Sequence, residues 1–298
     1  MMYNILVAGS VGLEQLKPAL AEEFTVPTEN IDVVHSEETE ARNWDAQVIC
    51  ELRPTNGDTS LALDIHVVDS IQGQPAEPDL AISLARRLQQ PVLFPDPDID
   101  PSAYWVADPL GNTARARLYA PDEEGGDHVI DAVDAPIAGL PGIPVQNFPE
   151  AIHMFRTVTP VAEEFKAALA HRGVNFAERN AYFDKNRLIA SDTWSWENLS
   201  ALMEQGWPPY SWFPASLYEE SLSLRDRLDD TVSTADSEAA EAAPEFIARI
   251  DETYRRLTVD DGGAALSAAL GLPQSAVAGR NWWWHRRPAE IPWEEQAG

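Results

Sequence analysis

Cysteine is nearly absent from this chain of 298 residues, since Cys50 is the single one. One thiol excludes an intrachain disulfide and any zinc site built from cysteines. Apolar runs are short as well, and none approaches the roughly 20 residues that a membrane-spanning helix needs. The first residues, MMYNILVAG, contain no positively charged segment of the kind that opens an export signal. We therefore expect a cytoplasmic protein that does not contact a membrane.

Positive charge is also scarce. The chain has 49 acidic and 21 basic residues, of which three are lysines, and its formal net charge is -28. Residues 1–150 hold 26 acids and 7 bases, whereas residues 151–298 hold 23 acids and 14 bases. An acidic surface repels nucleic acid backbones and anionic membranes and attracts basic proteins. Two explanations stay open: a surface for a basic partner, or acidity that keeps the chain in solution.

The apolar pattern predicts an α+β domain over residues 1–145, with helices packed on a sheet. The strand-like runs lie at 3–8, 31–34, 46–52, 61–68, 91–95, 104–107, 113–119 and 128–133. Helical spacing follows Gly12 and Pro78. Turn residues between neighbouring runs, as at 108–112, predict hairpins. The order strand, helix, two strands, helix, strand is typical of an α+β domain.

A second domain is predicted over residues 146–298. Proline and glycine are concentrated at 135–149, where helical spacing is lost, and this is typical of a domain boundary. The following residues show mostly helical spacing and hold eight of the ten tryptophans. The stretch 229–243 is acidic and short of large apolar side chains, which predicts a loop or a mobile linker.

Residues 280–287, RNWWWHRR, combine three consecutive tryptophans with three arginines. Neighbouring side chains lie about 100° apart on a helix and about 180° apart on a strand, so three consecutive indoles cannot face one way. The segment has two interpretations. It packs across another domain with its arginines turned towards acids, or it forms a patch that stacks on a ligand or a partner. The candidate ligand or interface patch consists of Trp282, Trp283, Trp284, His285, Arg286 and Arg287.

Three acidic clusters in the N-terminal domain form the candidate partner-binding surface. They contain Glu37, Glu38, Glu40, Asp96, Asp98, Asp100, Asp122, Glu123 and Glu124. Alternating carboxylates, as at 96–100, occur in calcium loops, but such loops also need a central glycine and a later glutamate. Prolines occupy this stretch instead, so we predict neither a metal site nor a cofactor. We interpret the clusters as a negative surface, although the sequence does not show whether they converge.

Three weaker patterns point to other functions. Gly9 and Gly12 form a G-x-x-G turn, whose N–H groups could bind phosphate, but the other residues of a dinucleotide motif or P-loop are lacking. Residues 266–280 resemble a helix-turn-helix in spacing and supply one arginine for DNA, which does not favour nucleic acid binding. Asp64 and His66 share one strand face, where we expect a mutual hydrogen bond and no metal.

No nucleophile and base can be paired from the sequence, because Cys50 lies in an apolar run and the six histidines are scattered. Active sites assembled from distant residues leave no such pattern, so enzyme activity stays open. The charge favours a non-enzymatic binding protein, such as an immunity or inhibitor protein, whose acidic domain binds a basic partner such as a toxin. The alternatives are an enzyme or sensor for a phosphate- or nucleotide-containing ligand and a DNA-binding regulator. The sequence carries no signal for oligomeric state.

Overall fold

The computed structural model describes residues 2–37, 42–96, 102–121, 123, 125–176 and 184–293. The chain divides into two compact units, Met1–Phe148 and Pro149–Gly298, here called unit 1 and unit 2. The α+β class predicted from the sequence is confirmed, because a large mixed sheet occurs together with many helices. None of the described helices combines the length and apolar character that a membrane-spanning segment requires.

Unit 1 consists of one mixed sheet and two helices. Its strands are β1 (Met2–Val7), β2 (Ile31–His35), β3 (Val48–Pro54), β4 (Asn56–Gly57), β5 (Leu61–Val67), β6 (Val92–Pro95), β7 (Ala103–Ala107), β8 (Thr113–Tyr119) and β9 (Asp127–Val133). Its helices are α1 (Leu13–Glu23) and α2 (Glu77–Leu88). The strand order is β2-β3-β5-β1-β6-β7-β8-β9-β4. The β2–β3 and β4–β9 pairs are parallel, whereas the other neighbours are antiparallel.

The last long strand of this sheet, β9, contacts the turn between β3 and β5. β4 lies within that turn and pairs with β9. Asp58 ties the two together twice: its N–H donates to the His128 carbonyl at 2.8 Å, and its carboxylate accepts from the Ile130 N–H at 2.8 Å. Asn56 adds a bond from Nδ2 to the Gly125 carbonyl at 2.7 Å. The polar turn predicted between two strands therefore also closes the sheet.

Two hydrophobic cores lie on opposite faces of the sheet. In β1, Ile5 and Val7 belong to one core, while Leu6 packs against the other. In β6, Leu93 joins the second core while its two neighbours join the first. Helices α1 and α2 cover the first face. A strand that is buried on both faces has no polar alternation, which explains the continuous apolar run of β6.

Asp108 organises the turn between β7 and β8. Its carboxylate accepts hydrogen bonds from the N–H groups of Leu110 (2.9 Å), Asn112 (2.8 Å) and Ala138 (3.3 Å), and from Asn112 Nδ2 (3.0 Å). Gly111 completes the turn at φ 89°, a conformation that strains other residues. Burial alone would raise the pKa of Asp108, but the hydrogen bonds to the carboxylate, from Asn112 first, hold this pKa below its ordinary value.

We expect Asp108→Asn to lower the free energy of unfolding by about 1–3 kcal/mol at neutral pH, because buried donors lose their acceptor. An aspartate with a depressed pKa in the folded state contributes stability that is complete above the unfolded pKa of about 3.9. This contribution is lost as the pH falls through the folded pKa. Urea denaturation between pH 7 and pH 3 should therefore show a shrinking difference from wild type, and a constant difference would contradict the prediction. Asp127→Asn, at an exposed position of β9, is the control.

Asp64 has a cross-strand partner in place of the predicted His66. Arg53 Nη2 and Nε donate to Asp64 Oδ2 at 2.9 and 3.2 Å. A guanidinium on the adjacent strand offers two charge-assisted hydrogen bonds to the carboxylate, which the imidazole of His66 does not make. The Asp64–His66 prediction is wrong for this reason.

Unit 2 is mostly helical. Its helices are α3 (Pro149–Met154), α4 (Pro160–His171), α5 (Lys185–Glu204), α6 (Ala215–Thr234), α7 (Glu238–Leu257), α8 (Ala264–Ala269) and α9 (Ser275–Ala278). A short antiparallel pair joins β10 (Thr258–Asp260) to β11 (Arg286–Pro288). A 3-10 turn at Trp282–His285 precedes β11. The two cores of unit 2 draw on the three long helices α5, α6 and α7.

The loop predicted at 229–243 is wrong, because α6 continues to Thr234 and α7 begins at Glu238. The side chain of Ser237 accepts a hydrogen bond from the Ala240 N–H at 3.2 Å and so caps α7. The alanines of this stretch are buried against a core that contains Phe165. Alanine has the highest helix propensity, and its small side chain lets helices approach closely, so large apolar residues are not needed here.

Glu197 of α5 caps the start of helix α4. Thr159 occupies the N-cap position of α4, but its hydroxyl makes no capping bond. Instead, the Glu197 carboxylate accepts from the N–H groups of Val161 at 2.9 Å and Ala162 at 2.6 Å. Free N–H groups and the helix dipole stabilise a carboxylate at this end of a helix. The burial of Glu197 is therefore explained by its hydrogen bonds to the first N–H groups of α4.

Candidate functional site

Three of the nine predicted partner-binding acids fall within the described residues. Glu37 and Glu123 are exposed in turns or bends, and Asp96 is half-buried. Asp96 Oδ2 accepts a hydrogen bond from Trp105 Nε1 at 2.9 Å. The remaining predicted acids lie outside the described residues: Glu38, Glu40, Asp98, Asp100, Asp122 and Glu124. Their use as one negative surface stays a prediction.

The charge balance of unit 1 can be followed from its ion pairs. Five of its seven basic residues pair with carboxylates of the same unit. These pairs are Arg42 with Glu51, Arg53 with Asp64, Arg87 with Glu22 and Glu23, Arg115 with Asp134, and Arg117 with Asp131. Residues 1–148 hold 25 acids and 7 bases, so 18 acids would exceed the bases even if every base formed a pair. The bases of unit 1 are therefore too few to neutralise most of its negative charge.

An exposed tryptophan lies within this acidic unit. Trp44 is 69 % exposed, and the Arg42 guanidinium lies 4.8 Å from the centre of its ring. The neighbouring Asn43 N–H donates to Asp32 Oδ2 at 2.9 Å, which fixes the backbone beside it. Arg42 Nη1 also contacts Glu51 Oε1 at 2.9 Å. Tryptophan is enriched at protein interfaces, where its large ring supplies contact area, so Trp44 is a candidate anchor residue.

The three-tryptophan segment lies in the core of unit 2, where Asp226 of α6 fixes it. Trp283 and Trp284 are 3 % and 2 % exposed. Trp283 Nε1 donates to Asp226 Oδ1 and Trp284 Nε1 donates to Asp226 Oδ2, each at 2.9 Å. Arg280 Nη1 and Asn281 Nδ2 donate to the same carboxylate at 3.0 and 3.2 Å. One acid therefore satisfies two buried indoles, and the segment has a structural role.

Trp282 and the arginines at the end of the segment also have internal partners. The Arg255 guanidinium lies 3.8 Å from the Trp282 ring centre. Arg286 Nη2 donates to the carbonyls of Thr258 (2.7 Å) and Arg255 (3.1 Å), where α7 ends. Arg287 Nη1 donates to the carbonyls of Pro288 at 2.8 Å and Ala289 at 3.0 Å, at the end of β11. Cations that bind the last carbonyls of a helix are favourable.

His285 contributes its backbone to this arrangement, because its carbonyl accepts from the N–H groups of Asp261 and Gly263 at 3.0 and 3.3 Å. Gly263 has φ 79°, and a side chain there would collide with Val277. The residues of the candidate patch are thus brought together by backbone and side-chain bonds within unit 2. Their use as a ligand or partner patch stays a prediction.

Behind the tryptophans lies a buried charged network. Arg225 of α6 pairs with Asp251 of α7, from Nε to Oδ1 at 3.3 Å and from Nη2 to Oδ2 at 3.1 Å. Asp251 Oδ1 also accepts from Trp196 Nε1 at 2.8 Å. The Arg225 guanidinium lies 4.2 Å from the Trp283 ring centre. These contacts join α5, α6, α7 and the tryptophan segment through one ion pair.

Two buried phenols complete the same core. The hydroxyls of Tyr218 and Tyr254 lie 2.6 Å apart, and the Tyr254 hydroxyl donates to the Trp283 carbonyl at 3.0 Å. Burial raises the pKa of both Tyr218 and Tyr254. Both hydroxyls therefore stay protonated and serve as hydrogen-bond donors.

The weaker sequence patterns find little support in the geometry. The Glu14 carboxylate folds against Gly12 at the start of α1, where it would repel a phosphate. In the stretch 266–280, helix α9 has four residues, which is too short to lie along a DNA groove, and Arg280 is paired with Asp226. Cys50 is buried in β3, and this burial raises the pKa of its thiol, so it is not a reactive nucleophile.

Within the part of the chain that the structure describes, no three His, Cys, Asp or Glu side chains gather closely enough to hold a metal ion. No protein-family model, curated protein or solved structure matches this chain. The functional argument therefore depends on the geometry and charge of the residues themselves.

Several important residues were missed in the sequence. Asp226 and Asp251 are single acids within acidic helices, and nothing in their spacing marks them as partners of Trp283 or Arg225. Trp44 carried a usable signal, because it lies in a polar stretch between Asn43 and Asp45 and is not part of an apolar run. A lone tryptophan in such a stretch has few neighbours to bury it.

Proposed function

We propose that the chain is a non-enzymatic binding protein of the immunity or inhibitor type, in which unit 1 is an acidic domain that binds a basic protein such as a toxin. The observation that carries this proposal is the charge balance of unit 1. Residues 1–148 hold 25 acids and 7 bases, an excess of 18 acids that pairing within the unit cannot neutralise. Such an excess produces a negative field that attracts a basic partner and speeds its association.

Trp44 would provide contact area within this acidic surface. Interfaces of this kind gain specificity and association rate from complementary charge, whereas most of the binding free energy comes from a few aromatic or arginine anchors. Trp44 is the large exposed aromatic ring that lies beside the described acids Asp32 and Asp45. In this proposal, units 1 and 2 are separate domains, and unit 2 is the Trp-rich helical domain. The protein acts in the cytoplasm.

The experiment is affinity capture with the full chain, followed by measurement of the purified captured protein. We expect a retained protein of high isoelectric point whose association rate falls at least about tenfold between 50 and 500 mM salt. Glu37→Lys with Glu123→Lys should slow association, and Trp44→Ala should mainly speed dissociation. Glu245→Lys with Glu252→Lys, at two exposed positions of α7 in unit 2, is the matched control because it also reverses two charges.

Retention of acidic or neutral proteins alone would contradict the proposal. Association that does not respond to salt would do so too, because complementary charge would then have no part in binding. Equal effects of the unit 1 and unit 2 charge reversals would show that net charge acts on the whole chain, and that unit 1 is not the binding surface.

A further inference from the structure

A cleft in unit 2 is lined by residues from α3, α5 and α6 and by Arg156 and Phe213, and has a volume of about 220 Å³. Its floor is apolar and includes the buried side chains of Leu199, Leu202 and Phe213. Its walls carry polar and charged groups, among them Arg156 and Glu220. A cavity of about 150 Å³ can hold benzene, so the cleft has room for a small organic molecule. The cleft therefore suits a small molecule with one apolar and one polar end.

One side of the cleft presents hydrogen-bond donors. Asn198 is 8 % exposed, and its Oδ1 accepts from Thr157 N–H at 3.1 Å and from Thr157 Oγ1 at 2.8 Å. The Thr157 N–H can only donate, so Oδ1 is the atom that faces it, and Nδ2 is left to face the cleft. Nδ2 has no acceptor among the described residues. Asn198 lines the cleft, so its Nδ2 can donate to a ligand bound there.

Arg156 lies on the same side. Its guanidinium stacks on the Trp194 ring at 4.7 Å, and its Nη1 donates to the His153 carbonyl at 2.8 Å. These contacts fix the plane of the guanidinium. Its Nε and Nη2 have no acceptor among the described residues, and Arg156 has no carboxylate partner there. A guanidinium held in this way can bind a carboxylate through two parallel hydrogen bonds.

Acceptors in the cleft come from Glu220 and Ser221 of α6 and from Ser195 of α5. Glu220 has no hydrogen bond or ion pair among the described residues. Ser221 Oγ donates to the Leu217 carbonyl at 2.9 Å, and Ser195 Oγ of α5 donates to the Ser191 carbonyl at 3.0 Å. Both hydroxyl protons are therefore used within their own helices. The oxygens keep lone pairs for a donor in the cleft, and a carboxylate with two hydroxyl oxygens suits an ammonium group.

We infer that this cleft binds a free α-amino acid with an apolar side chain. Its carboxylate would bind Arg156 and Asn198, its ammonium group would bind Glu220 and the neighbouring hydroxyls, and its side chain would lie on the apolar floor. A purely anionic ligand leaves Glu220 opposed to it, and a purely cationic ligand leaves Arg156 opposed to it, so the zwitterion is the class that satisfies both sides. This site is independent of the surface proposed for unit 1.

Isothermal titration calorimetry of the full chain with L-leucine and L-phenylalanine tests this inference. We expect saturable binding with one site, and at least about tenfold weaker binding of leucinamide, which lacks the carboxylate, and of N-acetyl-leucine, which lacks the ammonium group. Glycine should bind at least about tenfold more weakly than leucine, because it leaves the apolar floor in contact with water.

Glu220→Gln and Asn198→Asp should each weaken leucine binding at least about tenfold. Glu220 is exposed, so its substitution leaves the fold intact, and Asn198→Asp keeps the acceptor that Thr157 uses while it repels the ligand carboxylate. Glu219→Gln, the neighbouring acid outside the cleft, is the matched control and should bind as wild type does. Absence of saturable binding for both amino acids would overturn the inference. So would equal binding of leucine and its two derivatives, or binding unchanged by Glu220→Gln.

Discussion

Replacement of Asp226 by alanine is expected to lower the free energy of unfolding of unit 2 by about 3–5 kcal/mol. The substitution removes the acceptor of four donors, two of which are the indole N–H groups of Trp283 and Trp284 in the core. A buried donor left without an acceptor costs about 1–3 kcal/mol. Tryptophan fluorescence during urea denaturation measures the change, because eight of the ten tryptophans lie in residues 151–298.

Asp226→Asn separates charge from shape. The amide keeps one oxygen, but its Nδ2 would face either Trp284 Nε1 or Trp283 Nε1, and two donors cannot bond to each other. We therefore expect a loss close to that of the alanine variant. Asp230→Ala, at an exposed position of the same helix, is the control and should change stability by less than about 0.5 kcal/mol. A loss below about 1 kcal/mol in Asp226→Ala would show that other groups or water satisfy the indoles.

Asp251→Ala is expected to destabilise unit 2 by about 3–5 kcal/mol, because it leaves the Arg225 cation buried without its main partner. Arg225 is 4 % exposed, and its second carboxylate, Asp229 Oδ1, lies 3.5 Å from Nη1. Trp196 Nε1 loses its acceptor in the same variant. Equilibrium denaturation by guanidinium chloride, followed by circular dichroism, measures the loss.

The double variant Arg225→Met with Asp251→Leu tests the cause. It replaces both charges by apolar side chains, and such exchanges of a buried ion pair are often neutral or stabilising. We therefore expect most of the stability lost in Asp251→Ala to return, apart from the cost of the unpaired Trp196 N–H. If the double variant were as unstable as Asp251→Ala, the loss would reflect packing, and the isolated cation would not be its cause.

The sequence predicts helices and strands well where the secondary structure of each residue depends on its neighbours in the chain. The hairpin of β7 and β8 follows from two strand-like runs around Asp108-Pro-Leu-Gly-Asn, and helix α2 follows from the regular spacing of its leucines. The prediction for the stretch 229–243 is wrong because the sequence does not distinguish alanines that are buried from alanines that are exposed. Whether alanine packs in a core depends on the helix opposite it, which local sequence does not reveal.

The candidate sites were harder to predict because their partners are distant in the chain. Asp226 lies more than 50 residues from the tryptophans it binds, and Arg53 competes for Asp64 from another strand. The cleft of unit 2 is assembled from three helices, none of which carries a recognisable motif. Only the folded chain brings Arg156, Asn198 and Glu220 to one place.

The pairing of β4 with β9 also bears on which borders of the sheet a second strand could join. Strands at the border of a sheet expose free N–H and C=O groups that can template addition of a foreign strand, the first step of many aggregates. At the β9 border, the two residues of β4 pair with part of this strand. A bridge between Val133 and Val145 pairs with its end. Ile31–His35 forms the other border of the sheet, where Asp32 and Glu29 place negative charge that disfavours the addition of a like-charged strand.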